Sequence, residues 1–420
     1  MRTNRTRNRT RVVVTGMGVL APNGTGLEAF WDSLVQGRSG IGPITLFDAR
    51  GYRSRIAGEV KDFNPLDYID PKEKPRRLAR GTQLAFAATQ SALTDARLNL
   101  PELRAESWGP LPIVMGVGTS AMDILQDGFD SLRDRGPGSI KPFAVGSCAP
   151  QAAATFIGRM LGVSTRTSTI SSTCVSGLDA VASAAASIRS GESEIAIAGG
   201  ADAPITPLAM ASFATAGLSS SRNENPERAS RPFDRDRDSG VISEGAGVLV
   251  LESLDHALGR GVDPYFEITG YGVQTDADPT VPGSGLGSTM TAALANANRD
   301  PEAIDYICAY GTGHPVFDKV ELSMIKRAFG RRAQTVPISS IKGVTGDPLA
   351  AAGPHQLIAA ALCLRKNIIP PTANCDNLDS DCDLDIVRGR ARRAKLNCIL
   401  LNVRGLGGGN STMIVERVTE

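Results

Sequence analysis

The sequence predicts an α/β fold built from two βαβ-rich halves, and three observations point there. Short β-branched or apolar runs of strand length alternate with longer amphipathic or alanine-rich runs of helical length; this is the pattern of mostly parallel sheets with helices on their faces. The alternation starts a second time near Tyr265, although no residue-level repeat is visible. The chain also holds 45 glycines and only 5% aromatic residues, a composition that suits closely packed layers. Its 420 residues allow two domains or one large duplicated one. The expected division is a flexible basic tail over 1–11, an N-terminal half over 12–261 and a C-terminal half over 262–420.

In the first half, Val12–Met17 reads as a buried strand and Leu27–Gln36 as an amphipathic helix. Gly51–Pro75 is polar and punctuated by proline, so a surface excursion is expected. Arg80–Ala96 is a long helix with Leu84, Phe86, Ala87 and Leu93 on its apolar side. Pro112–Val117, Thr167–Ser171, Ile195–Ala198 and Val241–Glu252 are further strands. In the second half the strands are Tyr265–Val273, Tyr306–Ala309, Pro337–Ser340, Cys398–Val403 and Met413–Arg417. The helices are Ser288–Ala297, Asp318–Phe329 and Gly353–Arg365.

Composition excludes several functions. A net charge of +1 makes no case for nucleic-acid or anionic-membrane binding. Seven cysteines, irregularly spaced and without a CxxC, fit neither a disulfide framework nor a zinc site, and a reducing cytoplasm suits them. Met1–Arg11 is basic without an apolar core, which rules out a secretory signal. No stretch reaches the roughly 20 apolar residues that span a bilayer.

The chain is organised around TSTISSTCVSG, Thr167–Gly177. The β-branched run before Cys174 is a strand, expected to be buried, and the alanine-rich run after it is a helix. Cys174 therefore sits where a strand turns into a helix. The free N–H groups and positive end of that helix are aimed at the sulfur, so a thiol that ionises easily is expected. Taken alone, a cysteine at such a corner reads equally well as a small packing residue.

Seven stretches in order change that balance. They are RVVVTGMGVLAPNG (Arg11–Gly24), STCVSG, AGGADAPITPLAMASF (Ala198–Phe213), SRPFDRDRDSGVISEGAGVLVLE (Ser230–Glu252), YGTGHP with DKVE (Tyr310–Glu321), SSIKGVTGDPLAAAG (Ser339–Gly353) and GLGGGN (Gly405–Asn410). Together they resemble the elongating β-ketoacyl-acyl-carrier-protein synthases of the thiolase superfamily, nearly end to end. The resemblance implies a thiolase fold, with the duplicated halves in a five-layered αβαβα arrangement, and a homodimer. It implies no bound cofactor, only a thioester delivered on the phosphopantetheine arm of an acyl carrier protein. By the same resemblance Cys174 is the nucleophile, and the N–H groups of Cys174 and Leu406 form the oxyanion hole. Lys342 and Glu321 match a structural ion pair. Thr312, His314 and Gly240 fall where substrate or pantetheine passes.

The departures bear on chemistry. The family's two catalytic histidines lie in HGT and TGH; here these read Tyr310-Gly311-Thr312 and Thr345-Gly346-Asp347. The gate phenylalanine is Leu406, RDGFVxGEG has become RDSGVISEG, and His314 replaces a threonine. The two imidazoles of an elongating enzyme stabilise the enolate formed as malonate loses carbon dioxide, worth about 2.7–4 kcal/mol per donor. An ionised Asp347 only accepts hydrogen bonds. Two like charges ~4 Å apart cost about 4 kcal/mol at an effective dielectric near 20, which opposes decarboxylation. A β-keto thioester or β-keto amide needs no decarboxylation. On such a substrate Asp347 serves as base and Tyr310 as proton donor or carbonyl polariser. The carbanion attacks a carbonyl in the same chain, and the alkoxide then attacks the Cys174 thioester and releases a ring. This resembles the chemistry of stand-alone ketosynthase cyclases of salinosporamide-type γ-lactam-β-lactone pathways. An ordinary elongating synthase, an acyltransferase and a chain-length-factor-like partner are the alternatives; the retained cysteine weighs against the last.

Overall fold

The computed structural model describes residues 10–99, 109–278 and 280–419. The expected tail, 1–11, lies outside the described residues except for Thr10 and Arg11, and Arg11 is held by Glu267 at 2.7 Å. The first half contains β1 (Val12–Ala21), α1 (Leu27–Gln36), α2 (Arg80–Asp95), β2 (Leu111–Gly116), α3 (Met122–Arg135) and α4 (Ala152–Leu161). It continues with β3 (Thr165–Ile170), α5 (Ser176–Arg189), β4 (Ile195–Asp202), α6 (Pro207–Thr215) and β5 (Gly245–Ser253). The second half contains β6 (Phe266–Thr275), α7 (Leu286–Ala297), β7 (Tyr306–Cys308), α8 (Pro315–Phe329) and β8 (Ile338–Ser339). It closes with α9 (Ala352–Lys366), β9 (Cys398–Arg404) and β10 (Gly409–Glu416).

The strand order shows the duplication that the residues hide. The first half runs β3-β2-β4-β5-β1 across the sheet, and the second runs β8-β7-β9-β10-β6. In each half the order is third, second, fourth, fifth, first. The halves join where β1 lies antiparallel to β6, Val13 opposite Glu267 and Val14 opposite Phe266. Helices α2 and α7 cover the outer faces, on β1 with β5 and on β6 with β10. Helices α5 and α9 pack on each other between the two sheet halves. The layers therefore alternate helix, sheet, helix, sheet, helix. All ten residues of β1 and residues 352–364 of α9 are buried, as expected for elements covered on every side.

Several expectations are corrected. The sheet is mixed rather than mostly parallel. Among the strands described, β2 with β3 and β4, and β7 with β8 and β9, are the parallel pairs. The pairs β4–β5, β5–β1, β1–β6, β6–β10 and β10–β9 are antiparallel. For β9 and β10 the reason is connection length: a tight glycine turn joins them, and such a turn can only reverse the chain. Strand β3 is not buried. It is the edge strand, and its residues are half-buried or exposed. The stretch 51–75 is only partly a surface excursion, because Ser54 and residues 56–60 are buried. Strand β5 starts at Gly245 rather than Val241, since Ile242 pairs instead with Asp347.

The crossing of α5 and α9 sets up the site. A Cβ on Gly177 would stand 2.1 Å from the Ala350 carbonyl oxygen. Only glycine lets the start of α5 approach the segment before α9 so closely. That contact brings the Cys174 turn of one half against the Thr345–Ala351 segment of the other.

Candidate active site

Cys174 lies in a single turn, Thr173–Val175, between β3 and α5, at the strand-to-helix corner that the sequence predicts. Thr173 holds a φ of +60°, which for a β-branched residue costs about 1–3 kcal/mol. Local bonds over-determine it. Ser176 Oγ accepts from the Ser172 N–H at 2.8 Å and donates to the Thr173 carbonyl at 2.5 Å, and Thr173 Oγ1 donates to the Leu406 carbonyl at 3.1 Å. The last bond ties the Gly405–Leu406 segment to the Cys174 turn.

Burial works against the expectation of an easily ionised thiol. Burial pushes the Cys174 thiol up to about 12 and the Asp347 charge adds to the rise, while hydrogen bonding by Tyr310 pulls it down. At 5% exposure the thiolate loses most of its hydration. The thiol rests protonated, so nucleophilic attack needs a base.

Tyr310 and Asp347 meet there. The Tyr310 hydroxyl donates to Asp347 Oδ2 at 3.0 Å, and both residues are buried. Burial raises the Asp347 pKa above the ordinary aspartate value, against the pull of Lys342 and Tyr310. Asp347 Oδ1 has no hydrogen-bond partner. The TGD turn is held by β-type bonds to Val241 and Ser243, with Gly346 at φ +68°. The expected Lys342–Glu321 ion pair is not formed among the described residues. Lys342 Nζ faces Asp347 Oδ1 at 4.0 Å and lies 4.0 Å over the Tyr310 ring. Glu321 is instead a backbone clasp, accepting the N–H groups of Tyr310 and Gly311 at 2.8 Å each. Asp318, a turn earlier on α8, accepts those of Thr312 and Gly313. Helix α8 thus holds the YGTG loop through two buried carboxylates.

A narrow pocket opens onto the sulfur. Its wall includes every other site residue the sequence singles out apart from the buried pair Lys342 and Glu321, namely Thr312, His314, Gly240 and Leu406 beside Tyr310 and Asp347. His314 caps α8: its Nδ1 accepts from the N–H groups of Val316 and Phe317. The ring proton therefore sits on Nε2. Burial and the charges of Arg404 and Arg237 lower its pKa, so the ring is neutral. The other histidines stay structural, with His355 buried against the Ala246 carbonyl and His256 bonded to Glu252. Sequence reasoning missed Phe213, Leu218, Phe317 and Arg404 on the pocket wall. For Arg404 a signal existed: a lone charged residue ends the buried strand run CILLNVR.

Residues 9–257 match the family described as beta-ketoacyl synthase, N-terminal domain, and residues 265–376 match its C-terminal domain. The chain is 38% identical to the 3-oxoacyl-[acyl-carrier-protein] synthase 2 of Synechocystis, over 97% of this chain and 98% of that one. It is equally similar to the protein of that name from Vibrio harveyi, over 98% and 99%. Among solved structures, the ishigamide ketosynthase/chain length factor superposes with a TM-score of 0.90 at 35% identity, covering 98% of this chain and 100% of that one. A beta-ketoacyl synthase from Burkholderia phymatum gives 0.90 at 30% identity, with the same coverage.

Proposed function

The chain belongs to the β-ketoacyl synthase family, and on that premise we propose that it loads a carrier-bound acyl chain on Cys174 and forms a carbon–carbon bond without decarboxylation. The observation that carries this reading is the 3.0 Å bond from Tyr310 to Asp347 beside the sulfur, where the family has two imidazoles. In loading, the Cys174 proton passes to the Tyr310 oxygen as the Tyr310 proton passes to Asp347. The thiolate attacks the incoming thioester, and the departing pantetheine thiolate takes that proton back along the same path. In the second step Asp347 removes the proton between the two carbonyls of a β-keto acyl chain. Tyr310 polarises the carbonyl that the carbanion attacks. The resulting alkoxide attacks the Cys174 thioester and releases a ring, and Asp347 returns its proton through Tyr310 to the departing Cys174 thiolate. The acyl carrier protein is the partner that delivers the chain, in keeping with the printed names of the relatives.

A homodimer is part of this reading. Helix α3 buries none of its residues, and Leu125, Phe129 and Leu132 are exposed at helical spacing. The half-covered β3 is a free sheet edge. No described helix is long and apolar enough to cross a membrane.

One observation favours a second reading, ordinary elongation. Lys342 at 4.0 Å offsets part of the Asp347 charge that would otherwise repel malonate. A single experiment separates the two. The protein is incubated with malonyl-carrier protein and with a β-keto amide thioester bearing a carbonyl at ring-forming distance. A cyclised product with no carbon dioxide from malonyl-carrier protein is expected. Carbon dioxide release at the rate of an ordinary ketosynthase would establish the second reading instead.

A further inference from the structure

One charged side chain on the pocket wall has no part in that chemistry. Arg404 ends β9 and is 8% exposed. Its guanidinium lies over Phe317, with Cζ 3.9 Å from the ring centre, and it shares the pocket with Cys174, Tyr310 and His314. His314 stacks on the same phenylalanine, ring centres 4.0 Å apart. The Arg404 Nε is fully buried and has no hydrogen-bond partner. Among the described residues no carboxylate stands within ion-pair distance of it.

The surrounding charges are already committed. Asp276, the carboxylate whose field acts most on Arg404, accepts from the N–H groups of Gly283 and Gly285 and from Asn410. Glu321 clasps Tyr310 and Gly311, Asp347 faces Lys342, and Asp379 and Asp318 face Arg237. That leaves one buried cation without a counter-ion in a pocket that opens onto the reactive sulfur. A buried charge is costly unless it is paired. A planar guanidinium fork matches carboxylate and phosphate oxygens in particular. The His314 Nε2–H supplies a further donor on the same wall.

We propose that Arg404 binds an anionic oxygen group of the substrate, the carboxylate of an acyl chain or the phosphate of the pantetheine arm, while the thioester lies at Cys174. The inference rests on the proposed reading only in taking Cys174 as the acyl acceptor. The charge on Arg404 selects among substrates; it does not perform the chemistry.

Binding to the Cys174→Ala protein, which cannot be acylated at that sulfur, tests the proposal by calorimetry. The probes are succinyl-pantetheine, its methyl ester, butyryl-pantetheine and butyryl-phosphopantetheine. Succinyl-pantetheine is expected to bind at least about tenfold more tightly than its ester. Adding Arg404→Gln should erase that gap and leave the affinity for the ester within about twofold. Arg404→Lys keeps the charge without the fork and should retain part of the gap. If the gap that Arg404→Gln erases is instead the one between the two butyryl probes, the anion is the phosphate. If neither gap depends on Arg404, or neither exists, the proposal is overturned. Matching thermal unfolding midpoints establish that both Arg404 variants are folded. Acylation of the wild-type protein is followed separately by intact mass. No added mass from any thioester would sink the reading of Cys174 and leave the binding result standing.

Discussion

At Cys174 the outcome turns on a proton. The thiol is held near 12, so it is inert until a neighbour accepts its hydrogen, and the only hydroxyl–carboxylate path described beside it runs through Tyr310 to Asp347. Cys174→Ala should abolish the mass shift seen with acyl thioesters and leave the unfolding midpoint nearly unchanged. An unchanged shift would place the nucleophile elsewhere. Asp347→Asn keeps the shape and removes the base. If loading can still proceed at elevated pH, acyl-enzyme should accumulate there without ring release. Tyr310→Phe should slow ring formation by roughly 10²–10⁴-fold, the usual loss for an acid–base group. Release of cyclised product at the wild-type rate by both variants would remove both residues from the mechanism. The pH profile carries the sign. Burial raises the Asp347 pKa, so its base form disappears at a higher pH than an ordinary aspartate's. The wild-type rate of loading should fall on that acidic limb, and the residual loading by Asp347→Asn should lack it.

Elements explain what single residues cannot. The sequence marks the Cys174 corner, the TGD turn and the YGT loop, but says nothing about which loops meet. The meeting is set by α5 and α9, whose crossing depends on the absence of a side chain at residue 177. Gly177→Ala would put a methyl group 2.1 Å from a backbone oxygen, and overpacking of this kind costs about 1–3 kcal/mol. The variant should unfold at a lower temperature and load acyl groups more slowly even where it is fully folded. Normal loading at a lowered midpoint would show that the crossing serves stability alone. The Lys342–Glu321 pair was misread for a related reason. The resemblance implies which charges gather near the site, whereas the choice of partner depends on backbone N–H groups that no side-chain motif reveals. Glu321 answers Tyr310 and Gly311, and Lys342 is left to Asp347.

Across the whole molecule, most element types are legible, the helices α3, α4 and α6 apart, and strand directions are not. Periodicity distinguishes the ten-residue apolar β1 from the amphipathic α1, yet it carries no sign for parallel or antiparallel pairing. The edge position of β3 is equally invisible in its residues, because Thr-rich runs suit buried and exposed strands alike. Buried carboxylates leave a further global mark. Burial raises Glu321 from 4.5 to about 7, against the two N–H bonds that lower it. Between those values the folded chain binds more protons than the unfolded one at this site. The contribution of Glu321 to stability therefore declines as pH rises from about 4.5 to about 7. Denaturant unfolding of wild type and Glu321→Gln across that range should show a shallower decline in the variant. Parallel curves would mean that Glu321 is ionised throughout.

The repeated strand order has a consequence for inheritance. Cys174 belongs to one half of the chain, and Tyr310, Asp347 and Arg404 to the other. A recombination event near residue 262 would hand the nucleophile and the groups that govern it to different descendants. A chimera with the first half of a histidine-bearing relative would keep a cysteine yet follow the chemistry of its second half, provided that the two inner helices still nest.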